Sequence, residues 1–298
     1  MMSDFETVSL HHITELPFDP DAEIFREYPG FKLGVARCVR YYSQLLLPRV
    51  KELIANDSEH SDWVVTAPAM TAQTPAAANL LCWDLFDLYR QEQDTSAFKK
   101  LSLIDIQHDS ESTWGDWKDP SKSQDYAKLD FADRVTEHER LSQRLSQTAD
   151  FHERPILFVN DIRVTGAQQH AMQDFFERGG AACVRWLYVI VIDPEIGKRQ
   201  PTIEWQINFA PFGDLLRMVS REEIQFTGKC LQRLMSLGLD ELDRILRVLD
   251  GERRKRLLEL AVLNGFENRD SFHEQMDLVR SYETKEPLRP GLIDVIAG

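Results

Sequence analysis

Short apolar runs alternate with amphipathic helical segments through the middle of this chain, and that alternation restricts the fold more than any other feature. Trp63 to Ala67 reads as a short buried strand. Pro75 suits a first helical turn, and Ala76 to Arg90 has helical periodicity. Leu101 to Gln107 is a second expected strand, followed by a helix over about Asp130 to Thr148. "PILFVN" (Pro155 to Asn160) is a third strand. Ala167 to Arg178 is a helix that stops at Gly179-Gly180, and Ala182 to Asp193 is a fourth strand. Strands that alternate with helices pair in parallel through right-handed crossovers. The expected fold class is therefore α/β, an open, mainly parallel sheet flanked by helices.

The flanks have a different character. Residues 1–24 read as an irregular or strand-forming arm, and Phe31 to about Asn56 as a helix that Pro48 kinks or splits. "TIEWQIN" (Thr202 to Asn208) is compatible with one more strand, and residues 220–282 are strongly helical. The expected organisation is an N-terminal arm and helix over 1–60, an α/β core over 61–210 and a helical cap over 211–298.

A formal net charge of −14 argues against a broad nucleic-acid or anionic-membrane surface, but leaves room for a local basic pocket. The most apolar run, "WLYVIVI", is too short to span a bilayer, and "MMSDFETVSL" lacks the apolar core of a signal peptide. Four well-separated cysteines in apolar contexts read as reduced core residues, so a cytoplasmic location is expected. No dinucleotide, P-loop, zinc-protease or nucleophile-elbow motif is present. The basic run Arg253 to Arg256 reads as a solvated helix face.

Chemistry concentrates in "RPILFVNDIRVTGAQQH". Ligands of open α/β sheets sit beyond the carboxyl ends of the strands, where Asn160 and Asp161 are expected. The turn Val164-Thr165-Gly166-Ala167-Gln168 then opens a helix, whose first N–H groups and dipole favour a phosphate. The Asp161 carboxylate and Asn160 amide suit a vicinal diol. A phosphate at one end and a diol at the other describe a ribose 5-phosphate site.

At this point "ILFVNDIRVTGAQ" resembles the phosphoribosyl-pyrophosphate signature of type I phosphoribosyltransferases: four apolar residues, two acids and a Thr-Gly turn. Asp161 matches the second acid, and Thr165-Gly166 match the phosphate loop. Asn160 replaces the first acid, and Gln168 stands where Thr or Ser is usual. "WVVTAPAMTAQTP" fits the slot of the family's pyrophosphate loop, with Pro68, Ala69, Met70 and Thr71 as binding candidates. Residues 108–128 fit the slot of the closing lid, with Lys118, Lys122 and Lys128 able to reach a pyrophosphate. "YPGFKLG", "PTIEWQIN" and the helical tail also look like the bacterial ComF-like branch that accompanies tellurite-resistance and stress gene clusters.

The resemblance implies transfer of phosphoribosyl from phosphoribosyl pyrophosphate to a nitrogen base, with Asp161 and Asn160 as the catalytic pair. Magnesium would be held mostly by substrate oxygens, and no protein metal site is expected. Phosphoribosyl pyrophosphate or a nucleoside monophosphate is the expected small-molecule partner, and a homodimer is compatible with it. Two other classes remain open: a non-catalytic sensor of phosphoribosyl pyrophosphate or a nucleotide, which neutral Asn160 favours, and an interaction scaffold working through its helical tail. Glu204 and Asn208 are candidates for the acceptor pocket or for core roles, and Trp186 and Tyr188 for core.

Overall fold

A computed structural model of the chain describes residues 6–19, 22–70, 74–92, 99–106, 151–200 and 202–283. The expected lid, its three lysines, the helix over 130–148 and Thr71 lie outside the described residues.

Five parallel strands form one sheet in the order β1-β5-β4-β2-β3. They are β1 (Thr7–Ile13), β2 (Asp62–Thr66), β3 (Lys100–Leu103), β4 (Pro155–Arg163) and β5 (Cys183–Ile192). The arm thus contributes an edge strand, with Thr7 to Ile13 paired along Trp186 to Ile192. The chain moves outward from β2 to β3, returns to β4 on the other side of β2, and then moves outward the opposite way. The reversal falls between β2 and β4, and the crevice outside their carboxyl ends is where open α/β sheets hold ligands.

Each face of the sheet is covered, which is why β4 is buried along nearly its whole length. On one face Val65, Leu157, Val159 and Leu187 pack with Tyr42 and Leu46 of α3 (Ala36–Asn56) and Leu81 and Leu85 of α4 (Ala77–Gln91). On the other face Phe158 and Trp186, ring centroids 5.1 Å apart, pack with Phe175 and Phe176 of α5 (Ala167–Arg178). Trp186 and Tyr188 are buried in that second core. All four cysteines are unpaired. No helix among the described residues is long and apolar enough to cross a membrane.

The helical region makes a third core. α6 (Pro194–Arg199) and α7 (Ile203–Asn208) pack into the first sheet core through Ile196, Ile203 and Ile207, and the third core is built by α8 (Phe212–Arg221), α9 (Gly228–Met235), α10 (Leu239–Val248), α11 (Gly251–Leu263) and α12 (His273–Ser281). The third core docks on the sheet through α2 (Tyr28–Leu33), which follows the short α1 (Glu23–Arg26). Leu33 of α2 is buried in the helical core, while Tyr28 and Phe31 of the same helix belong to the sheet core.

Several expectations are corrected. The helix expected from Phe31 breaks at Gly34-Val35, because that backbone pairs with the helical region: Ala36 N–H donates to Glu223 O and Gln225 N–H to Gly34 O. Pro48 does not split α3, which runs unbroken with Leu46, Leu47 and Val50 buried around it. "TIEWQIN" is helical. Its apolar residues Ile203, Trp205 and Ile207 mimic a strand's period, but Ile203 and Ile207 are buried one helical turn apart while Trp205 is exposed. Within the basic run Arg254 is not solvated: buried, it caps α10 by donating to Leu246 O at 2.7 Å and lies over the Tyr282 ring.

Candidate functional site

β4 does not stop at Asn160-Asp161. It continues through Ile162 and Arg163, in register with Ile190 and Val191 of β5, and the turn begins at Val164. Parallel pairing with β5 keeps the strand extended for these extra residues, beyond Phe158 where its pairing with β2 ends. Asn160 and Asp161 are therefore consecutive strand residues, and successive side chains point to opposite faces. The expectation that both side chains meet one diol does not match this geometry.

On the α5 side, Asn160 Nδ2 donates to Gln168 Oε1 at 2.6 Å, and Asn160 Oδ1 accepts from Asp161 N–H at 2.8 Å. The amide thus clips the strand to the first turn of α5. On the opposite side, the Asp161 carboxylate accepts from Ile162 N–H at 2.8 Å and forms an ion pair with Lys32 of α2. Lys32 Nζ also lies 3.5 Å from Glu204 Oε1 on α7. All three side chains are largely buried. Burial alone would pull the Lys32 ammonium down, but the Asp161 and Glu204 carboxylates raise it above its ordinary value. The Tyr28 hydroxyl, fully buried, has no hydrogen-bond partner among the described residues. Burial, reinforced by Asp161 and Glu204, pushes its pKa well up, so it stays protonated.

The turn between β4 and α5 has the properties of an anion cradle. Gly166 is the N-cap in a left-handed conformation, φ 79°, which a side chain adopts only at a cost. A Cβ built there meets nothing within 4 Å, so the space above the turn is open. The first turn of α5 carries no acid, and its opening N–H groups have no partner within the helix. Ala167 N–H donates to Thr165 Oγ1 at 3.4 Å, and Gln169, buried, links Arg163 to Thr7. From below, α6 supports the turn at contact distance: a Cβ on Gly197 would sit 2.1 Å from the Val164 carbonyl oxygen.

Across the crevice, the segment after β2 is held by Asn79. Its side chain donates to Pro68 O and accepts from Ala76 N–H, both at 2.7 Å, so one residue fixes both ends of the segment. Ala69 and Met70 are half-buried between them. Thr74 is tied to α11 by the Asn264 amide at 2.7 Å.

Pro68 to Met70 follow β2 and Val164 to Gln168 follow β4, so the two segments leave the carboxyl ends of adjacent strands. The family profile described as PRTase ComF-like matches residues 5–279. This chain belongs to the ComF-like phosphoribosyltransferase family. No curated protein matches it. Among solved structures, a hypoxanthine-guanine phosphoribosyltransferase of Bacillus anthracis aligns at 14% identity over 55% of this chain and 72% of that one, TM-score 0.31. A hypoxanthine phosphoribosyltransferase of Staphylococcus aureus aligns at 12% identity over 52% and 66%, TM-score 0.29. Likenesses this low carry no argument. The phosphoribosyltransferase fold of this family member rests on its own sheet order and on the family match.

Lys32, Asn79 and Gly197 did not stand out in the sequence. Lys32 left one signal, as the single charge within "YPGFKLG". Among the described residues no cluster of three or more His, Cys, Asp or Glu side chains is arranged to hold a metal. Asp161 is already neutralised by Lys32, and Asn160 has no charge, so this donor set does not fit a resident metal ion.

Proposed function

We propose that this protein binds phosphoribosyl pyrophosphate in the β2–β4 crevice and transfers the phosphoribosyl group to a nitrogen base with release of pyrophosphate. The observation that carries the reading is the Thr165-Gly166 turn. It is a left-handed, sterically open N-cap at the topological switch point of a chain that belongs to a phosphoribosyltransferase family.

In this reading the 5-phosphate lies on Val164 to Gln168, where the N–H groups and dipole of α5 meet it. Asp161 takes the ribose diol, exchanging Lys32 for the hydroxyls. Asn160 acts from the other face by holding Gln168 and with it the turn. The connection after β2, kept in shape by Asn79, receives the pyrophosphate on its backbone. Bond breaking at C1 leads the attack, so the transition state is oxocarbenium-like and needs no covalent nucleophile. Magnesium fits only as the counter-ion of the donor's pyrophosphate, supplying charge neutralisation there. A cytoplasmic location suits this chemistry and the four unpaired thiols.

The ion pair on Asp161 and the absence of charge at Asn160 favour one second reading, a non-catalytic sensor of the same ligand. Calorimetry with phosphoribosyl pyrophosphate and an assay of pyrophosphate release across a panel of bases separate the two. Binding with release supports the transferase, and saturable binding without release supports the sensor. Undiminished binding in Asp161→Ala would refute the site itself.

A further inference from the structure

A cavity of about 200 Å³ lies between the connection after β2 and the C-terminal helices. Lys32, Lys229 and Arg269 line it and no carboxylate among the described residues does, in a chain whose net charge is −14. Helices α4 and α9 both begin at its wall, at Ala77 and Gly228, so two positive helix ends add to Lys229 and Arg269, while the charge of Lys32 is met by Asp161 and Glu204. Arg269 donates to Asn264 O at 3.1 Å and lies 4.8 Å from the Phe266 ring centroid. Burial pushes its guanidinium below its ordinary value, a cost that an anion in the cavity relieves.

The remaining walls include Pro75, Leu231 and Phe266. Such surfaces offer nothing to a bare, hydrated inorganic anion but bury the face of a ring. The volume falls below the roughly 300–1,000 Å³ of pockets for drug-sized ligands, which suits one ring and not a nucleotide. The two sides are joined, by Gly228 N–H to Pro75 O at 3.0 Å and by Asn264 to Thr74, so the cavity is built before a ligand arrives. It adjoins the crevice: Ala69 belongs to its lining, and Lys32 is shared between the cavity and Asp161.

We propose that this cavity is the acceptor pocket and that the acceptor is a single-ring nitrogen heterocycle bearing a carboxylate. The inference rests on the phosphoribosyl reading. The ring nitrogen's lone pair forms the bond to C1 as the bond from C1 to pyrophosphate oxygen breaks and its electron pair leaves with pyrophosphate. A pyridine-type nitrogen becomes a pyridinium, and an N–H nitrogen passes its proton to water.

The test is calorimetry on the full chain with pyridine- and pyrimidine-carboxylates, each against the neutral carboxamide of the same shape. Phosphoribosyl pyrophosphate and inorganic pyrophosphate are titrated separately. A carboxylate should bind at least tenfold more tightly than its carboxamide. Lys229→Gln should lose that tenfold while still binding phosphoribosyl pyrophosphate. Equal affinities for the charged and neutral partners, or no carboxylate binding where phosphoribosyl pyrophosphate does bind, would overturn the pocket alone. So would displacement of the carboxylate by inorganic pyrophosphate that is itself lost in Lys229→Gln, since the cavity would then hold the leaving group. Carboxylate binding without any binding of phosphoribosyl pyrophosphate would overturn the phosphoribosyl reading and the acceptor role with it.

Discussion

Asn160 and Gln168, the two positions at which this chain departs from the phosphoribosyl signature, are bonded to each other, amide to amide, at 2.6 Å. An acid in the first position would face a hydroxyl in the second. Here two neutral amides make the same link between β4 and α5 without adding charge. The two departures are in direct contact, and they leave Asp161 as the sole carboxylate of the motif.

A double-mutant cycle measures the coupling of Asn160 and Gln168. Asn160→Ala and Gln168→Ala should each destabilise the fold, and the double variant should cost less than their sum by about 0.5–1.5 kcal/mol. Urea unfolding of the four proteins gives the number, and strict additivity would show that the contact contributes nothing.

Gly166 separates backbone strain from occupancy. Gly166→Ala should cost about 1–2 kcal/mol, because residue 166 sits in the left-handed region. It should still fold, since the added Cβ meets nothing within 4 Å. Gly166→Val, which fills the open space, should lose phosphoribosyl pyrophosphate binding altogether. Wild-type affinity in the valine variant would remove the phosphate from this turn.

Gly197 tests support from beneath. A Cβ there overlaps the Val164 carbonyl, so Gly197→Ala must displace the turn or α6, at a cost of about 1–3 kcal/mol. Weaker phosphoribosyl pyrophosphate binding is expected although no residue of the turn has changed. Gly213→Ala, whose Cβ meets nothing within 4 Å, is the control and should bind normally.

Lys32 predicts an alkaline limb. Its pKa is raised in the folded chain, so its contribution is fully present below the ordinary value of 10.5 and fades as pH climbs toward the folded value. Tyr28, also raised from its ordinary 10.0, acts in the same direction. Stability should therefore fall from about pH 10 upward, and Lys32→Met should flatten part of that fall. Near neutrality the same variant should lose about 3–5 kcal/mol by leaving the buried Asp161 and Glu204 carboxylates without their cation. Thermal unfolding across pH checks both signs.

The sheet's core strands and the helix that follows the phosphate turn were legible because each has a local signature. β4, β5 and α5 appear within a few residues of where their apolar runs and glycine stop place them. The reading failed where two periods coincide. Ile203 and Ile207 satisfy both a strand's alternation and a helix's turn, and only packing chooses, by burying those two and exposing Trp205. It failed again at the end of β4, because pairing with β5 continues through residues whose polarity suggested a turn.

The sequence by itself determined the alternation of strand and helix, the glycine that opens α5 and the short set of residues able to cradle a phosphate. These follow from the steric and hydrogen-bonding preferences of neighbouring residues. Tertiary structure alone decided that Lys32 neutralises Asp161, that Glu204 joins them from a helix, and that Asn264 fixes Thr74. Those contacts join residues far apart in the chain. Hydrophobic periodicity records which face of an element is buried and carries nothing about which distant charge that face will meet.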